Sequence, residues 1–326
     1  MTSEIPHPSE PLLSFLICTY HREDLLELCI RSIQSQKDID ADECEIIVVD
    51  NSDEGTAAAV VSRLTNTSTV PIKYVQAHPA NIAVARNAGV RAASAEFVGM
   101  IDDDMVVDAD WYSHARAALK SLHYDVYSGP VYPMYEDPKQ ATSQSDAFFH
   151  RHMDVVSPTP LRIMGSQRTR GYIPATSNSI FKRARCFSDA PAFDAHYGKS
   201  GGEDVDLFCR LEAAGRIFAW LPDIKTHEHV PSRRCDIDYL EKRSFVGGQI
   251  FASTYIRNSK RPEWTQLKVT LIATLQVIAL TPWRWMAHFL PSSKANAIRL
   301  RQSAVRGKLA WRVMIPIYSE ENTRVN

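Results

Sequence analysis

Along the first hundred residues, short apolar runs alternate with amphipathic stretches. "LSFLICT" (Leu13 to Thr19) reads as a strand, and "EDLLELCIRSIQSQ" places Leu25, Leu28, Cys29 and Ile33 at the spacing of one helical face. "EIIVVD" (Glu45 to Asp50) is a second strand with the turn "NSDEGT" after it, and "IKYV" (Ile72 to Val75) is a short third. "NIAVARNAGVRAASA" predicts another helix and "FVGMI" a further strand. Strands separated by helical segments predict an α/β fold, a Rossmann-like, mostly parallel sheet flanked by helices. Such sheets bind ligands off the carboxyl ends of their strands, and Thr19, Asp50 and Asp102 each stand at such an end.

The pattern weakens from about Pro133 to Pro174, which reads as loops and substrate-facing surface. It returns in "NSIFKRARC" and in "EDVDLFCRLEAAGRIFAWLP", where Leu207, Phe208 and Leu211 form one helical face and Gly215 suits a C-terminal cap. Beyond about Asp236 the chain reads as helical and basic, so the expected division is a catalytic domain over 1–235 and a helical, membrane-associating extension over 236–326. The apolar run "VTLIATLQVIAL" (Val269 to Leu280) is interrupted by Pro282 and Arg284, short of the roughly 20 residues a spanning helix needs. It reads either as a core helix or as an interfacial one, the latter favoured by Trp283 and Trp285 beside Arg284.

Composition narrows the classes. The 326 residues allow one large domain or two smaller ones, and 44% hydrophobic content is enough for a core. A net charge of −1 lacks the basic field that a nucleic-acid partner requires. The six cysteines form no Cys-x-x-Cys pair, and several sit in apolar segments, as expected of reduced intracellular thiols. "MTSEIPHPSE" has no basic start followed by an apolar core, so no signal peptide is expected.

Three constellations carry chemistry. "FVGMIDDDM" ends an apolar run in three carboxylates, which raise one another's pKa unless a cation or solvent compensates. In an extended segment Asp102 and Asp104 share a side, a donor pair suited to Mg²⁺ or Mn²⁺. "GKSGGEDVDLF" lacks the leading glycine of a phosphate loop, Phe193 standing at that position. It leaves a flexible glycine pair before Glu203 and Asp204 at a helix start, either dipole-stabilised acids or a general base at a pocket's lip. In "THEHVPSRR", His227 and His229 share a side if the segment is extended, and Arg233 and Arg234 precede Lys242 and Arg243. This basic group reads as a diphosphate contact or a solvated face.

Taken in order, "ICTYHR", "IIVVDNSD", "NIAVARNAG", "MIDDD" and "SGGEDVD" resemble the family 2 glycosyltransferases, inverting enzymes of GT-A fold, over about Leu12 to Arg234. "GKSGGED", "HE" then "VP", and "KRSFVGGQ" are similar to the lipid-linked glucosyltransferases of succinoglycan-type exopolysaccharides. The resemblance implies a nucleotide pocket lined by Thr19, Tyr20 and Arg22, with Asp50 toward a uracil ring and Asn81, Arg86 and Asn87 toward the nucleotide and diphosphate. It implies a divalent cation, Mn²⁺ or Mg²⁺, on Asp102 and Asp104 with His227 completing the contacts, and Asp103 near the ribose or donor sugar. Asp204 matches the catalytic base, with Glu203 beside it. A UDP-sugar donor, glucose first among the sugars, and a polyprenyl-diphosphate-linked oligosaccharide acceptor follow. So does a peripheral location on the cytoplasmic face of the plasma membrane. The chain departs from the family pattern at Met105, where a further aspartate is usual, and it lacks the Gln-x-x-Arg-Trp signature of processive synthases. Addition of one sugar per encounter is therefore expected. Nucleotidyl transfer and a catalytically silent sugar-nucleotide binder are the rival classes.

Overall fold

A computed structural model describes residues 10–188, 191–286 and 289–316. The reading of the first ten residues falls, but for Glu10, outside them. Eleven strands are described: β1 (Leu13–Thr19), β2 (Cys44–Asp50), β3 (Ile72–Gln76), β4 (Phe97–Met100), β5 (Met105–Val107), β6 (Val126–Ser128), β7 (Val131–Tyr135), β8 (Thr159–Leu161), β9 (Ser179–Lys182), β10 (Phe218–Trp220) and β11 (Thr226–Val230). The α-helices are α1 (Glu23–Gln34), α2 (Ala58–Thr65), α3 (Ile82–Ala92), α4 (Trp111–Ser121), α5 (Ser143–Phe149), α6 (Arg183–Cys186), α7 (Glu203–Ala213), α8 (Ile237–Arg257), α9 (Pro262–Met286) and α10 (Ser292–Leu309).

The main sheet runs β3-β2-β1-β4-β9-β6-β10-β8. The first four strands are parallel, β9 is antiparallel to both neighbours, and β6 and β10 resume the direction of β4. β1 is central, in register with β2 from Leu13↔Cys44 to Thr19↔Asp50, which is why it reads as an almost unbroken apolar run. Its alternate residues serve two cores. Leu13, Phe15 and Ile17 join Leu26 and Ile30 of α1, Leu64 of α2 and Trp111 of α4. Leu16 joins Ala85 of α3 and Phe208 of α7 on the opposite face. α3 lies so close that a Cβ on Gly89 would come 2.5 Å from Leu16 Cδ1.

The expected mostly parallel sheet, the helices on both faces and the helical C-terminal region are therefore present. α7 ends as its sequence implied: Gly215 has φ +75°, its N–H bonds Glu212 O, and Arg216 N–H bonds Leu211 O. Three features are additional to the pattern read from sequence. α2 and α4 fill out one face. The segment 133–174 carries the end of β7, a 3-10 turn at Pro138–Gln140, α5 and β8. A second sheet, β5-β11-β7, stands beyond the carboxyl end of β4.

At the C-terminus, α8 packs on the loop that leads into α7. Tyr197 Oη lies 3.0 Å from Ser253 Oγ, Asn258 Nδ2 donates to Asp206 at 3.0 Å, and Arg257 pairs with Asp194 at 2.6 Å. The division expected at 235/236 thus falls between packed elements. α10 crosses α8 at a glycine pair: a Cβ on Gly248 would meet Ala304 O at 1.9 Å, and one on Gly307 would meet Phe245 O at 1.9 Å. α9 continues through Pro282, so the helix is longer than the uninterrupted apolar run within it. Val269 and Ala273 are buried, whereas Leu267, Leu271, Leu275 and Ile278 are exposed, so it is not a core helix. By length and composition alone α9 would reach across a membrane.

Candidate active site

The three aspartates occupy a turn closed by Met105 N–H to Asp102 O at 3.1 Å. Because the backbone turns there, the alternation expected of an extended segment does not apply. Asp103 and Asp104 converge on one guanidinium: Arg22 Nη1 lies 3.0 Å from Asp103 Oδ1 and 3.1 Å from Asp104 Oδ2. Thr19 Oγ1, at the end of β1, donates to Asp103 Oδ2 at 2.9 Å. Burial, with Asp104 alongside, pushes Asp103 up to about 6 against the pull of Arg22. Asp102 looks the other way, 3.7 Å from Arg86 Nη2, and its side chain is 41% exposed, the most open of the three. Tyr20 follows Thr19 in sequence, its ring edge-on to His21.

Arg86 ties this cluster to the start of α7. It is buried and bonds Glu203 Oε1 while facing Asp102. Glu203 is 2% exposed and its Oε2 has no partner, so burial pushes its pKa up to about 7 although Arg86 and its own backbone N–H oppose this. Asp204 follows at the more open position, its Oδ1 accepting from Val205 N–H at 2.7 Å. The glycines before it are conformational necessities. Gly202 has φ +105°, and a Cβ there would press to 2.9 Å from Ile250 of α8.

β11 decides what joins from the other side. Its alternation buries Thr226, Glu228 and Val230 and turns His227 and His229 away. Glu228 bonds Arg234 Nη1 at 3.2 Å and Arg151 Nη2 at 3.1 Å, and Arg234 reaches Asp104 Oδ2 at 3.5 Å. His227 instead bonds Asp108 at 2.7 Å and packs beside Tyr132. The expectation that His227 stands with Asp102 and Asp104 is therefore corrected, since strand alternation gives that side to Glu228. Glu228, raised above the usual carboxylate range by burial, and Arg151 were not picked out from sequence. The alternation in "THEHV" was the available signal for Glu228.

Three other expected residues act on the backbone around the site. Asp50 is fully buried, and its carboxylate accepts from Ser52 N–H (2.9 Å), Ser52 Oγ (2.7 Å), Ala57 N–H (2.8 Å) and Tyr74 Oη (3.0 Å). A direct bond to a base would displace one of these donors, so in this conformation Asp50 shapes the 51–57 loop. Asn81 caps α3 and donates to Ala195 O at 3.1 Å. Asn87 exchanges two bonds with Phe193, at 2.8 and 2.9 Å. Both amides latch the loop before Glu203 to α3 rather than facing open space. Asn51, missed in the sequence, joins Ala77 O to Asn81 N–H.

Asp102, Asp103, Asp104, Glu203, Asp204 and Glu228 gather around Arg22, Arg86, Arg151 and Arg234. Six carboxyl groups thus stand against four guanidiniums, and each carboxyl offers hard oxygen donors. That chemistry fits a hard divalent cation. Among the described residues no group of three or more His, Cys, Asp or Glu is already arranged as a metal shell.

Residues 14–184 match the family described as Glycosyl transferase family 2. The chain is 32% identical over 243 residues to the succinoglycan biosynthesis protein ExoM of Rhizobium meliloti (strain 1021), covering 74% of this chain and 75% of that one. In fold it resembles a mannosyltransferase from Pyrobaculum calidifontis, solved with GDP-Man and Mn²⁺, at TM-score 0.58, 19% identity and coverage of 93% and 89%. It likewise resembles S. aureus TarS 1–349, solved with UDP-GlcNAc, at TM-score 0.55, 16% identity and coverage of 92% and 91%. The GT-A fold follows from these likenesses.

Proposed function

The chain belongs to glycosyl transferase family 2, and on that premise we propose that this glycosyltransferase moves a sugar, glucose first among candidates, from UDP to a hydroxyl of a lipid-linked oligosaccharide in cell-surface polysaccharide synthesis. The observation that carries the reading is the convergence of Thr19, Arg22 and the Asp102–Asp104 turn with Arg86 and the Glu203–Asp204 pair at one edge of the sheet.

The roles follow from charge. Thr19 and Arg22 hold Asp103 and Asp104 in place beside the nucleotide, with Tyr20 lining the pocket. Asp50, Asn81 and Asn87 fix the loops around it. Asp102, the open carboxylate of the three, would be the first to hold the divalent cation, Mg²⁺ or Mn²⁺, which when bound supplies positive charge to the diphosphate, and Asp104 would join it on turning from Arg22 and Arg234. Arg86 offers a second positive group to the leaving diphosphate, prearranged by Glu203 and buried from water. Asp204 takes the proton of the acceptor hydroxyl as that oxygen attacks the anomeric carbon from the face opposite the diphosphate. One displacement breaks the carbon–oxygen bond to UDP and inverts the centre. Glu203, buried against Arg86, acts as a positioning residue for that guanidinium.

α9 supports the acceptor's location. Its exposed apolar residues, with Trp264, Trp283 and Trp285 and basic groups beside them, suit the headgroup level of a membrane, here its cytoplasmic face. The catalytic body then extends through α8, and α9 forms the membrane-facing part. The test is UDP release from UDP-glucose, UDP-galactose and UDP-GlcNAc by the full chain with Mn²⁺, Mg²⁺ or chelator, with membrane lipid extract as acceptor. Metal-dependent release favouring one sugar is expected. No release and no calorimetric UDP binding would overturn the donor assignment.

A further inference from the structure

The acids of α7 reach the reaction edge through the segment 193–202, which lies between two helices. On one side α3 holds it. Asn81 Nδ2 donates to Ala195 O at 3.1 Å, Asn87 exchanges bonds with Phe193 at 2.8 and 2.9 Å, and a Cβ on Gly198 would come 1.7 Å from Asn81 Oδ1. On the other side stands α8, which lies wholly beyond residue 184, where the match to the family ends. Ile250, Ser253 and Arg257 recur at helical spacing, so one stripe of α8 faces the segment, and each of the three meets it.

Tyr197 is the hub of that contact. Its side chain is buried, and its carbonyl accepts from Ser200 N–H at 3.1 Å and from Gly201 N–H at 2.8 Å. Its Oη lies 3.0 Å from Ser253 Oγ, and the Arg257 guanidinium stands 5.8 Å from its ring centroid while pairing with Asp194 at 2.6 Å. At the end of α8, Asn258 Nδ2 donates to Asp206 Oδ1 at 3.0 Å. Asp206 is fully buried and stands two residues past Asp204. Its other oxygen accepts from Arg210 Nε at 2.8 Å, and Arg210 also donates to Ala192 O at the head of the segment. The segment is therefore tied to α8 from both ends. The far face of α8 is anchored in turn: Gln249, itself buried, donates to Ala310 O and Val313 O at 2.7 Å each and accepts from Ile315 N–H at 3.1 Å.

The chemistry needs this hold. Gly201 and Gly202, at φ +78° and +105°, leave the backbone before Glu203 permissive, so its pose is set by what flanks it. A general base must stand within hydrogen-bond reach of the proton it takes, and a displacement of about 1 Å costs about a hundred-fold in rate. The Arg257–Asp194 pair is largely exposed and contributes little. The weight falls on Ser253 and Asn258, because their partners Tyr197 and Asp206 are buried and would be left unpaired. We propose that Ser253 and Asn258 are positioning residues for the transfer reaction: from α8 they fix the pose of residues 193–206 and so aim Asp204 at the acceptor hydroxyl. This rests on the glycosyl-transfer reading above, and it gives the C-terminal helices a part in the chemistry besides membrane contact.

The test uses the full chain, with amide hydrogen exchange read by mass spectrometry, calorimetry with UDP and Mn²⁺, and steady-state transfer from UDP-glucose, UDP-galactose and UDP-GlcNAc to lipid extract. Asn258→Ala should speed exchange over residues 194–206 about ten-fold while β1, β2 and β4 keep wild-type rates. It should lower kcat about 10–100-fold and leave the KM for the UDP-sugar and the UDP affinity within about two-fold. Asn258→Asp keeps the shape but sets a carboxylate against Asp206, so it should lose as much; wild-type kcat in that variant would overturn the proposal. Ser253→Ala, the milder change and the deciding one where Asn258→Ala does not fold, should act in the same direction by about five-fold. Unchanged exchange over 194–206 in both alanine variants would overturn the proposal. So would faster exchange throughout the chain with kcat and UDP affinity falling together, since α8 would then only stabilise the fold. Absence of release from every UDP-sugar by wild type would overturn the transfer reading, whereas the exchange contrast still tells whether α8 holds the segment.

Discussion

Glu203 shows how one residue's surroundings set its chemistry. Its neighbour Arg86 favours the charged form, but complete burial and an unpartnered Oε2 outweigh that pull, and its pKa rises from 4.5 to about 7. Between those values the folded chain keeps a proton that the unfolded chain has released, so stability falls as pH rises through the window, by at most about 1.4 kcal/mol per unit from this group. Chemical denaturation from pH 4.5 to 7.5 should show a steeper fall in wild type than in Glu203→Gln, which keeps only the share of other raised carboxyls such as Asp103; equal slopes would place the proton elsewhere. Asp204→Asn separates the two acids. It should lower transfer about a thousand-fold or more while leaving UDP affinity unchanged, because it removes a base and touches no nucleotide contact. Full activity in that variant would move the base to another carboxylate. Asn178 is a structural counterpart. At φ +55° it accepts from Trp111 Nε1–H at 2.8 Å and donates to Pro130 O and Ile224 O at 2.8 and 2.7 Å. Asn178→Ala strands three buried groups and should cost about 3 kcal/mol or more, read as a lower urea midpoint at constant slope.

At the level of elements, the glycine crossing of α8 and α10 is the most exacting contact. A methyl on Gly248 would lie 1.9 Å from a main-chain oxygen, so the helices must part to admit it. Gly248→Ala should destabilise at the upper end of about 1–3 kcal/mol, measurable as a drop in melting temperature; an unchanged melting temperature would contradict the packing described. The same contact bears on how the C-terminus is dissected, because truncation after about Arg261 would remove α10 from α8 along with α9. Elements with strong period were legible in the sequence: β1, β2, β4, α1, α3 and α7 all stand where their patterns put them. α2 and α4 were not, although Val60, Leu64, Trp111 and Leu119 lie on their buried faces. The β5-β11-β7 sheet was hidden for a physical reason. Its strands span three to five residues, and their partners are distant in the chain, as in Glu228↔Met105 and Glu228↔Pro133. The site was legible to the same degree. Asp103, Asp104 and Glu203 announced themselves by their place at strand and helix ends, whereas Arg86, inside α3, came only with the family resemblance. The side of β11 that faces Asp104 is fixed by long-range pairing, and the sequence reading accordingly chose His227 over Glu228.

For the whole molecule, the arrangement is a polar reaction edge on a rigid sheet with one apolar helix turned outward. Leu271 and Leu275 are 58% and 57% exposed on α9, and each leucine transferred to lipid contributes about 1.5–3 kcal/mol. The double variant Leu271→Glu, Leu275→Glu should therefore lower co-sedimentation with phosphatidylglycerol–phosphatidylethanolamine vesicles at least about ten-fold, with UDP affinity unchanged. Undiminished sedimentation would contradict the membrane-facing role of α9. The central claim concerns the reaction edge, and its most direct test is UDP release by the full chain from a set of UDP-sugars, with Mn²⁺ or chelator and lipid extract as acceptor. The account predicts release from one preferred sugar that chelator stops and Asp204→Asn abolishes. Release that ignores both chelator and Asp204→Asn would contradict it.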